Sequence, residues 1–331
     1  MISRRHLLAT AAAGLAGSSR VHASAEPTTP SIPLRFSDVT LEDAPRSRAL
    51  VRIFVPELGP GFVFQPYFGG AIFRQGTELA AVQRGHLEMA LVPPSDFAKH
   101  VPAFDLLGAA YMVRDSGHLD RVFAGEVGEA FRSLARQELG VVVLAPAYYG
   151  TRHLNLRGTE PVGTPEDLKG VRLRMPPGES WQRLGRALGA DPVPLAYAET
   201  YTALKLALVD GQDNPLPNTY RMGFHEVTRQ VVLTGHSVGF DLLVVRAPLF
   251  DSLTPDQQER MRRAAERAFT WSTAEYLRQE QALVTVLAAA GLRVYEPDIE
   301  AFRRYATLAH QQSPFRDFWI PGLVDQIRTL I

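Results

Sequence analysis

The chain has no cysteine, and this absence removes several classes of protein from consideration. Without thiols there can be no disulfides, thiolate zinc sites, iron–sulfur clusters or lipid-modified cysteine anchor. Lysine is scarce too, with only Lys99, Lys169 and Lys205, and the 35 basic residues balance 35 acidic ones. A chain without excess positive charge gives no indication of binding nucleic acid or an anionic membrane surface.

Motifs for catalysis and for metal binding are also missing. Residues 59–61 are not followed by the helix of a phosphate-binding loop, and His225-Glu226 lacks the second histidine of a zinc-protease helix. Gly235–Gly239 has the spacing of a serine-hydrolase nucleophile elbow, but a strand pattern follows where the elbow needs a helix. We therefore expect no metal, no cofactor and no enzyme. Ser237 is the nucleophile that an alternative, an exported hydrolase, would use.

The first 25 residues have the composition of an export signal. Arg4-Arg5 precedes an apolar run that is too short to span a bilayer, and Ala23-Ser24-Ala25 is a small-x-small cleavage site. The paired arginines resemble a twin-arginine signal, and an ordinary secretory signal is the alternative. We expect a periplasmic mature protein, and no later apolar run is long enough to predict a membrane-spanning helix.

Short apolar segments alternate with amphipathic ones, which predicts an α/β fold with mixed, mostly parallel sheets flanked by helices. The predicted strands are Leu34–Val39, Leu87–Val92, Val141–Ala145, Val171–Met175 and Leu242–Arg246. The predicted helices are Thr77–Gln83, His118–Glu138 and Ser180–Leu188. A chain of 331 residues with 46% hydrophobic content favours two lobes.

A long helix is predicted after Leu253. Thr254 is a helix N-cap, Pro255 occupies the first helical position, and Gln257 completes a capping box. No proline or glycine then occurs before Gly291, so a continuous helix would be about 50 Å long. Such a helix would brace two lobes, whereas the alternative is a break near Trp271.

Two arginines follow strands of the predicted sheet. Arg174 lies near the end of a strand, before a Pro-Pro-Gly turn into a helix, and ligands of open α/β sheets bind outside such strand ends. A guanidinium there matches a carboxylate with two parallel hydrogen bonds, although a structural ion pair explains its position equally well. Arg152 follows Tyr148 and Tyr149, and it belongs either to a cleft wall or to a surface loop.

Three polar side chains, Gln212, Asp213 and Asn214, stand directly before Pro215. They form either a solvated turn or a polar shelf that faces a ligand. Pro215 biases Asn214 toward an extended backbone, which favours presentation of its side chain.

The segment around these residues resembles the periplasmic solute-binding proteins of TRAP transporters, the DctP type. The matching residues are Pro165–Gly170, Val171–Pro176, Leu188–Ala190, Pro192–Pro194, Glu199, Tyr201, Ala203–Leu204 and Val209–Pro215. The resemblance implies two α/β lobes that close over a small organic acid and a continuous long helix. It also implies delivery to a permease driven by an ion gradient; the binding protein of an ABC importer is the alternative.

The resemblance also implies the roles of single residues. Arg174 would bind the ligand carboxylate, Arg152 would make a second charge contact, Tyr197 would form an aromatic wall, and Asn214 would donate a hydrogen bond. Asp213 replaces the usual glutamate, a change expected to matter little. Charged residues that some members place in the first lobe are not evident in 62–73 and 93–96, so an apolar or aromatic contact is expected there. The further candidate contacts are Tyr148, Tyr149, Phe64, Tyr67 and Phe97.

The expected organisation follows from these assignments. Residues 1–25 are the export signal and 26–33 a flexible lead-in. Lobe I comprises 34–150 with about 238–275, and lobe II comprises 151–237 with about 276–331.

Overall fold

The computed structural model describes residues 31–312 and 322–330. The predicted export signal, 1–25, lies outside the described residues, as does the predicted lead-in up to residue 30. Residues 32 and 33 of that lead-in already belong to the first strand, which corrects the expectation that they are flexible.

The strands of the described residues form one mixed sheet. They are β1 (Ile32–Ser37), β2 (Phe62–Tyr67), β3 (Met89–Val92), β4 (Val141–Leu156), β5 (Arg172–Met175), β6 (Asp191–Pro194), β7 (Gly211–Pro215), β8 (Gln230–Arg246) and β9 (Arg293–Tyr295). Their order is β2-β1-β3-β8-β4-β7-β5-β6, with β9 beside β8. Pairing is parallel within β2-β1-β3, within β7-β5-β6 and between β8 and β9, and antiparallel for β3-β8, β8-β4 and β4-β7.

Helices cover the sheet. They are α1 (Pro45–Ala49), α2 (Val55–Leu58), α3 (Glu78–Gln83), α4 (Pro94–Ala98), α5 (Ser116–Ala124), α6 (Glu126–Leu139), α7 (Glu179–Ala187), α8 (Thr200–Lys205), α9 (Leu216–Arg221), α10 (Ala247–Ser252), α11 (Pro255–Ala289), α12 (Ile299–Gln311) and α13 (Leu323–Thr329). A π-helical turn, Leu50–Phe54, joins α1 to α2, and 3₁₀ turns occupy Pro102–Gly108, Pro165–Leu168, Tyr197–Glu199 and Phe224–Glu226.

Three predicted elements differ substantially from the structure. The predicted helix 118–138 is divided into α5 and α6 at Gly125, whose extended backbone (φ −103°, ψ −168°) ends one helix and begins the next. The predicted strands at 141 and 242 are parts of β4 and β8, which have 16 and 17 residues. Glycines that suggest breaks in the sequence lie inside these long strands.

The two long strands join the two ends of the sheet. β3 pairs with residues 242–245 of β8, whereas β7 pairs with residues 152–156 of β4. Between these regions Gly150 lies opposite Gly239. A Cβ on Gly150 would lie 2.5 Å from the Cβ of Pro215, and one on Gly239 would lie 2.5 Å from the ring of Tyr149. Glycine is required at this crossing because the chains approach too closely for a side chain.

Helix α11 is continuous over 35 residues, as the capping signals predict. The hydroxyl of Thr254 accepts from the backbone N–H of Gln257, and the helix continues through Trp271 without a break. Its first half packs in the hydrophobic core beneath β1 and β3, while Leu283 and Leu287 pack in a separate cluster with Leu216. One rigid helix therefore supports both ends of the sheet.

Candidate functional site

A cavity of about 60 Å³ lies between the two ends of the sheet. Its walls come from the turns and helices that follow β1, β3, β5 and β7, together with the crossing region of β4 and β8. Asp38, Glu78 and Asp96 line it from one end, and Arg174 and Asn214 line it from the other. This is the position expected for a ligand site, because the carboxyl ends of the parallel strands face it.

Among the arginines that line the cavity, Arg174 has the charge that is least compensated by hydrogen bonds and ion pairs. It lies in β5, is 1% exposed, and donates from Nε to the backbone oxygen of Leu195 at 2.8 Å. Its Nη2 has no hydrogen-bond partner among the described residues. Burial lowers the pKa of Arg174 to about 10, and the nearby Asp213 offsets this only in part. The site therefore contains a buried cation ready to receive an anion.

Arg152 also lines the cavity, but most of its guanidinium is engaged by the protein. Its Nε and Nη2 donate to the two carboxylate oxygens of Asp213 at 2.6 and 2.9 Å, and Nη1 reaches the hydroxyl of Tyr149 at 3.3 Å. Burial opposes the charge on both residues, yet their pairing holds the pKa of Arg152 above its usual value and that of Asp213 below it.

His236 contacts the carboxylate of this ion pair. Nε2 of His236 lies 3.2 Å from Oδ2 of Asp213, the oxygen that also accepts from Nε of Arg152, and Nδ1 of His236 lies 2.8 Å from the hydroxyl of Thr234. Burial lowers the pKa of His236, so the ring is held neutral and acts as a hydrogen-bond donor to the carboxylate. Ser237, the candidate nucleophile, lies inside β8 and contacts the backbone oxygen of Val238 instead of this ring. The serine-hydrolase geometry is not formed there.

Asn214 and Tyr197 both line the cavity. Asn214 lies in β7 rather than in a turn, and its Nδ2 donates to Oε1 of Gln212 at 2.6 Å. The backbone N–H of Tyr197 donates to Oε1 of Gln75 at 2.8 Å, which links the two sides of the cavity. Its ring packs edge-on against Phe224.

Of the further aromatic candidates, the structure brings only Tyr149 to the cavity. Phe97 is fully buried and stacked on Phe104, and Phe64 packs against Phe36 and Phe54. Their apolar rings pack in the hydrophobic core and do not reach the cavity. Two tyrosines also lie elsewhere: Tyr148 donates to Oε2 of Glu280 at 2.6 Å, and Tyr67 ends the outer strand β2.

Charged residues do line the first end of the cavity, contrary to the expectation of an apolar contact. Asp96 belongs to the segment 93–96 that was expected to supply no charge, and Glu78 comes from α3. Arg46 is held between two further acids, with Nη2 2.7 Å from Asp38 and Nη1 2.5 Å from Asp241. Unlike Arg174, Arg46 is thus fully paired.

A sequence signal for some of these residues exists. Asp38 directly follows β1, Asp96 lies in α4 just after β3, and Arg174 is the last residue but one of β5, so each lies near the carboxyl end of a parallel strand. The same rule that selected Arg174 selects them. Arg46, Gln75 and Trp181 also line the cavity, and they lie in helices or loops whose position depends on the folded chain.

A wider groove of about 540 Å³ lies outside the cavity, between the 3₁₀ turn at 102–108, α7 and α12. Its main cation, Arg183, pairs with Asp105 at 2.5 Å. The cavity at Arg174 is therefore the better candidate.

Comparison with known proteins shows which family the chain resembles. Residues 59–316 match the family of bacterial extracellular solute-binding proteins, family 7, called DctP. A TRAP periplasmic solute-binding protein from Roseobacter denitrificans, solved with bound 3-deoxy-D-manno-oct-2-ulosonic acid, is 38% identical. It superposes with a TM-score of 0.89 over 91% of this chain and 100% of its own.

Two curated relatives are more distant. The sialic acid-binding periplasmic protein of Vibrio cholerae is 28% identical over 69% of this chain and 71% of its own. The C4-dicarboxylate-binding periplasmic protein of Rhodobacter capsulatus is 26% identical over 82% of this chain and 80% of its own.

These findings confirm the two-lobed fold of periplasmic binding proteins, the periplasmic location and the absence of an enzymatic role in the family. Among the helices of the described residues, none has the length and apolar character needed to cross a membrane. The chain belongs to the TRAP periplasmic solute-binding proteins, family 7 of the bacterial extracellular solute-binding proteins.

Proposed function

We propose that this protein captures a small organic acid in the cavity and delivers it to the ion-gradient-driven permease of a TRAP transporter. The observation that supports this function is Arg174, a buried guanidinium with a nitrogen that lacks a partner among the described residues. A planar guanidinium binds a carboxylate through two parallel hydrogen bonds. Closure excludes water, so the attraction between the charges is stronger than in bulk solvent.

The relatives support an acidic ligand. The protein from Roseobacter denitrificans holds a sugar acid, and the curated relatives are named for sialic acid and for C4-dicarboxylates. A carboxylate is common to these ligands, and Arg174 is the group here that suits it.

The other cavity residues have supporting roles in this proposal. Arg152 contributes a second, weaker contact through Nη1, because its other nitrogens are held by Asp213. Asn214 hydrogen-bonds the ligand at the cavity wall, and the rings of Tyr197 and Tyr149 pack against its carbon skeleton.

The remaining parts of the chain fit the same role. Residues 1–25 act as a cleaved export signal of the twin-arginine type. Lobe I comprises 34–150 with about 238–275, and lobe II comprises 151–237 with about 276–331. The lobes open and close about the crossing of β4 and β8. The permease subunits are the protein's partners in the membrane, and genes for two membrane proteins without an ATPase beside this gene would support that assignment.

The test is ligand binding by the mature protein and its Arg174→Ala variant. A thermal-shift screen of monocarboxylates, dicarboxylates, sugar acids, keto acids and aromatic acids identifies ligands, because a bound ligand stabilises the folded state. Isothermal titration then measures affinity for the best acid. We expect Arg174→Ala to abolish measurable binding, and Arg174→Lys, which keeps the charge without the planar fork, to weaken it. Binding by Arg174→Ala within tenfold of the wild type, or ligands that are only neutral or cationic, would contradict the proposal.

A further inference from the structure

Two buried groups of opposite character line the cavity without a hydrogen-bond partner among the described residues. One is Nη2 of Arg174, and the other is Oδ2 of Asp96, whose side chain is only 4% exposed. A buried polar atom without a partner costs roughly 1–3 kcal/mol. A ligand that hydrogen-bonds to both atoms must therefore have an acceptor at the end that meets Arg174 and a donor at the end that meets Asp96.

The surroundings of Asp96 restrict that donor. Nζ of Lys99 pairs with Oδ1 of Asp96 at 2.6 Å and also donates to the backbone oxygen of Gly76. Beside this pair, Oε2 of Glu78 accepts from the backbone N–H groups of Gly76 and Thr77 at 2.8 and 2.9 Å. Lys99 is thus engaged by Asp96, and it is not free to neutralise a carboxylate of the ligand. We call Glu78 and Asp96 the acidic subsite.

Negative charge is unfavourable at the acidic subsite. Burial raises the pKa of Asp96, and burial together with the neighbouring Asp96 raises the pKa of Glu78 to about 8. The protein's own carboxyl groups thus resist ionisation there. A carboxylate of the ligand would meet the same cost, whereas a hydroxyl group can donate to a carboxyl oxygen without needing a counter-ion.

We propose that the ligand carries one carboxylate, bound at Arg174, and a hydroxyl-bearing far end, bound at the acidic subsite, where Glu78 and Asp96 exclude diacids. The proposal rests on the proposed function of Arg174 and names the ligand class as sugar monoacids. An ammonium group is the other possible donor. The Asp96–Lys99 pair is already neutral overall, and the neutral form of Glu78 adds no charge. The subsite therefore has no net negative charge to attract a cation.

The experiment compares acids that carry different groups at the far end. The mature protein is titrated with three sugar monoacids (3-deoxy-D-manno-oct-2-ulosonic acid, L-galactonate and D-glucuronate) and with the sugar diacids galactarate and glucarate. Succinate, hexanoate and 6-aminohexanoate complete the set. Galactarate differs from galactonate only in carrying a second carboxylate in place of a hydroxymethyl group. We expect at least one monoacid to bind at least tenfold more tightly than every diacid, hexanoate and 6-aminohexanoate.

The variant Asp96→Asn tests the cause of this preference. It removes the negative charge and releases Lys99 to pair with a second carboxylate, so the ratio of diacid to monoacid affinity should rise at least tenfold, about 1.4 kcal/mol. Glu57→Gln is the matched control, because it removes one acid that pairs with Arg267 outside the cavity. Its ratio should equal that of the wild type.

The outcomes separate the two proposals. Succinate, a sugar diacid, hexanoate or 6-aminohexanoate that binds within tenfold of the best monoacid, with dependence on Arg174, overturns the subsite proposal alone. So does an unchanged ratio in a folded Asp96→Asn variant. Failure of every acid to bind overturns the proposed function as well. The wild-type comparison stands even if the variant does not fold.

Discussion

Arg152 and Asp213 form a buried ion pair in which two guanidinium nitrogens face the two carboxylate oxygens. Both side chains are at most 3% exposed, and the pair joins the neighbouring strands β4 and β7 at the cavity wall. The sequence predicts that aspartate in place of the usual glutamate matters little if the side chain does not touch ligand. The structure assigns Asp213 a larger role in stability, since it compensates a fully buried cation.

We therefore predict that Asp213→Ala lowers the free energy of unfolding by about 3–5 kcal/mol, because it leaves Arg152 buried without its counter-ion. Urea unfolding of the ligand-free protein measures this loss. The double variant Arg152→Met with Asp213→Leu is the control, since it removes both charges and should recover most of the stability. A loss below about 1 kcal/mol in the single variant would mean that the pair contributes little.

The opposite result is expected at Arg174. Its charge is buried without an acid partner among the described residues, so Arg174→Met should leave the ligand-free protein as stable as the wild type or more stable, while ligand binding is lost. The matched control is Arg46→Met, which leaves Asp38 and Asp241 without the cation between them and should be strongly destabilising. Urea unfolding of both variants makes the comparison. Equal losses in the two would show that Arg174 has a structural rather than a binding role.

The difference between these arginines also shows which properties of the site the sequence can predict. Arg174 stands near a strand end that the sequence marks locally, and the resemblance to the family implies Asn214 as a further contact, so both are expected in the cavity. Whether an arginine is paired depends on contacts between distant parts of the chain. Arg46 meets Asp241, which lies 195 positions away, and no local pattern predicts this.

The first end of the cavity was missed for a related reason. Asp96 and Phe97 are adjacent, and the expectation of apolar contacts favours the ring of Phe97 as the candidate contact. In the folded chain the ring completes the core and the carboxyl group faces the cavity. The long helix, in contrast, was predicted with correct bounds because Thr254, Pro255 and Gln257 specify its start locally.

Glu78 should give the protein a distinctive pH dependence. Its pKa is raised from 4.5 to about 8 in the folded state. The stability it contributes is therefore fully present below about pH 4.5 and is lost as pH rises through 8. Between pH 5 and 9 the wild type should lose more stability than Glu78→Gln, by at least about 1.4 kcal/mol, the equivalent of one pKa unit.

Unfolding free energies of both proteins at pH 5 and pH 9 provide this measurement. The comparison with the variant is needed because His153, whose pKa burial lowers to about 3, makes stability fall on the acid side. That contribution is common to both proteins and cancels in the difference. Parallel pH profiles for the two would contradict an abnormal pKa at Glu78.

The crossing of β4 and β8 leaves no room for a side chain at Gly150. Gly150 has φ +125° there, and an added Cβ would lie 2.5 Å from the Cβ of Pro215. Gly150→Ala therefore combines backbone strain with overpacking, and it should cost about 2–4 kcal/mol. Gly140→Ala is the control, because Gly140 also has positive φ (+65°) but no atom of the described part of the chain lies within 4 Å of the added Cβ.

The control should lose only about 1 kcal/mol, the cost of the left-handed backbone alone. The difference between the two variants isolates the close approach of the strands. Because Gly150 stands two residues before Arg152, the shift that relieves the overlap should also displace the guanidinium and weaken acid binding, which titration of the folded variant measures. Gly140 lies at the end of α6, so its variant should bind with wild-type affinity. Equal stability and equal affinity in the two variants would mean that the crossing tolerates a side chain and does not position the site.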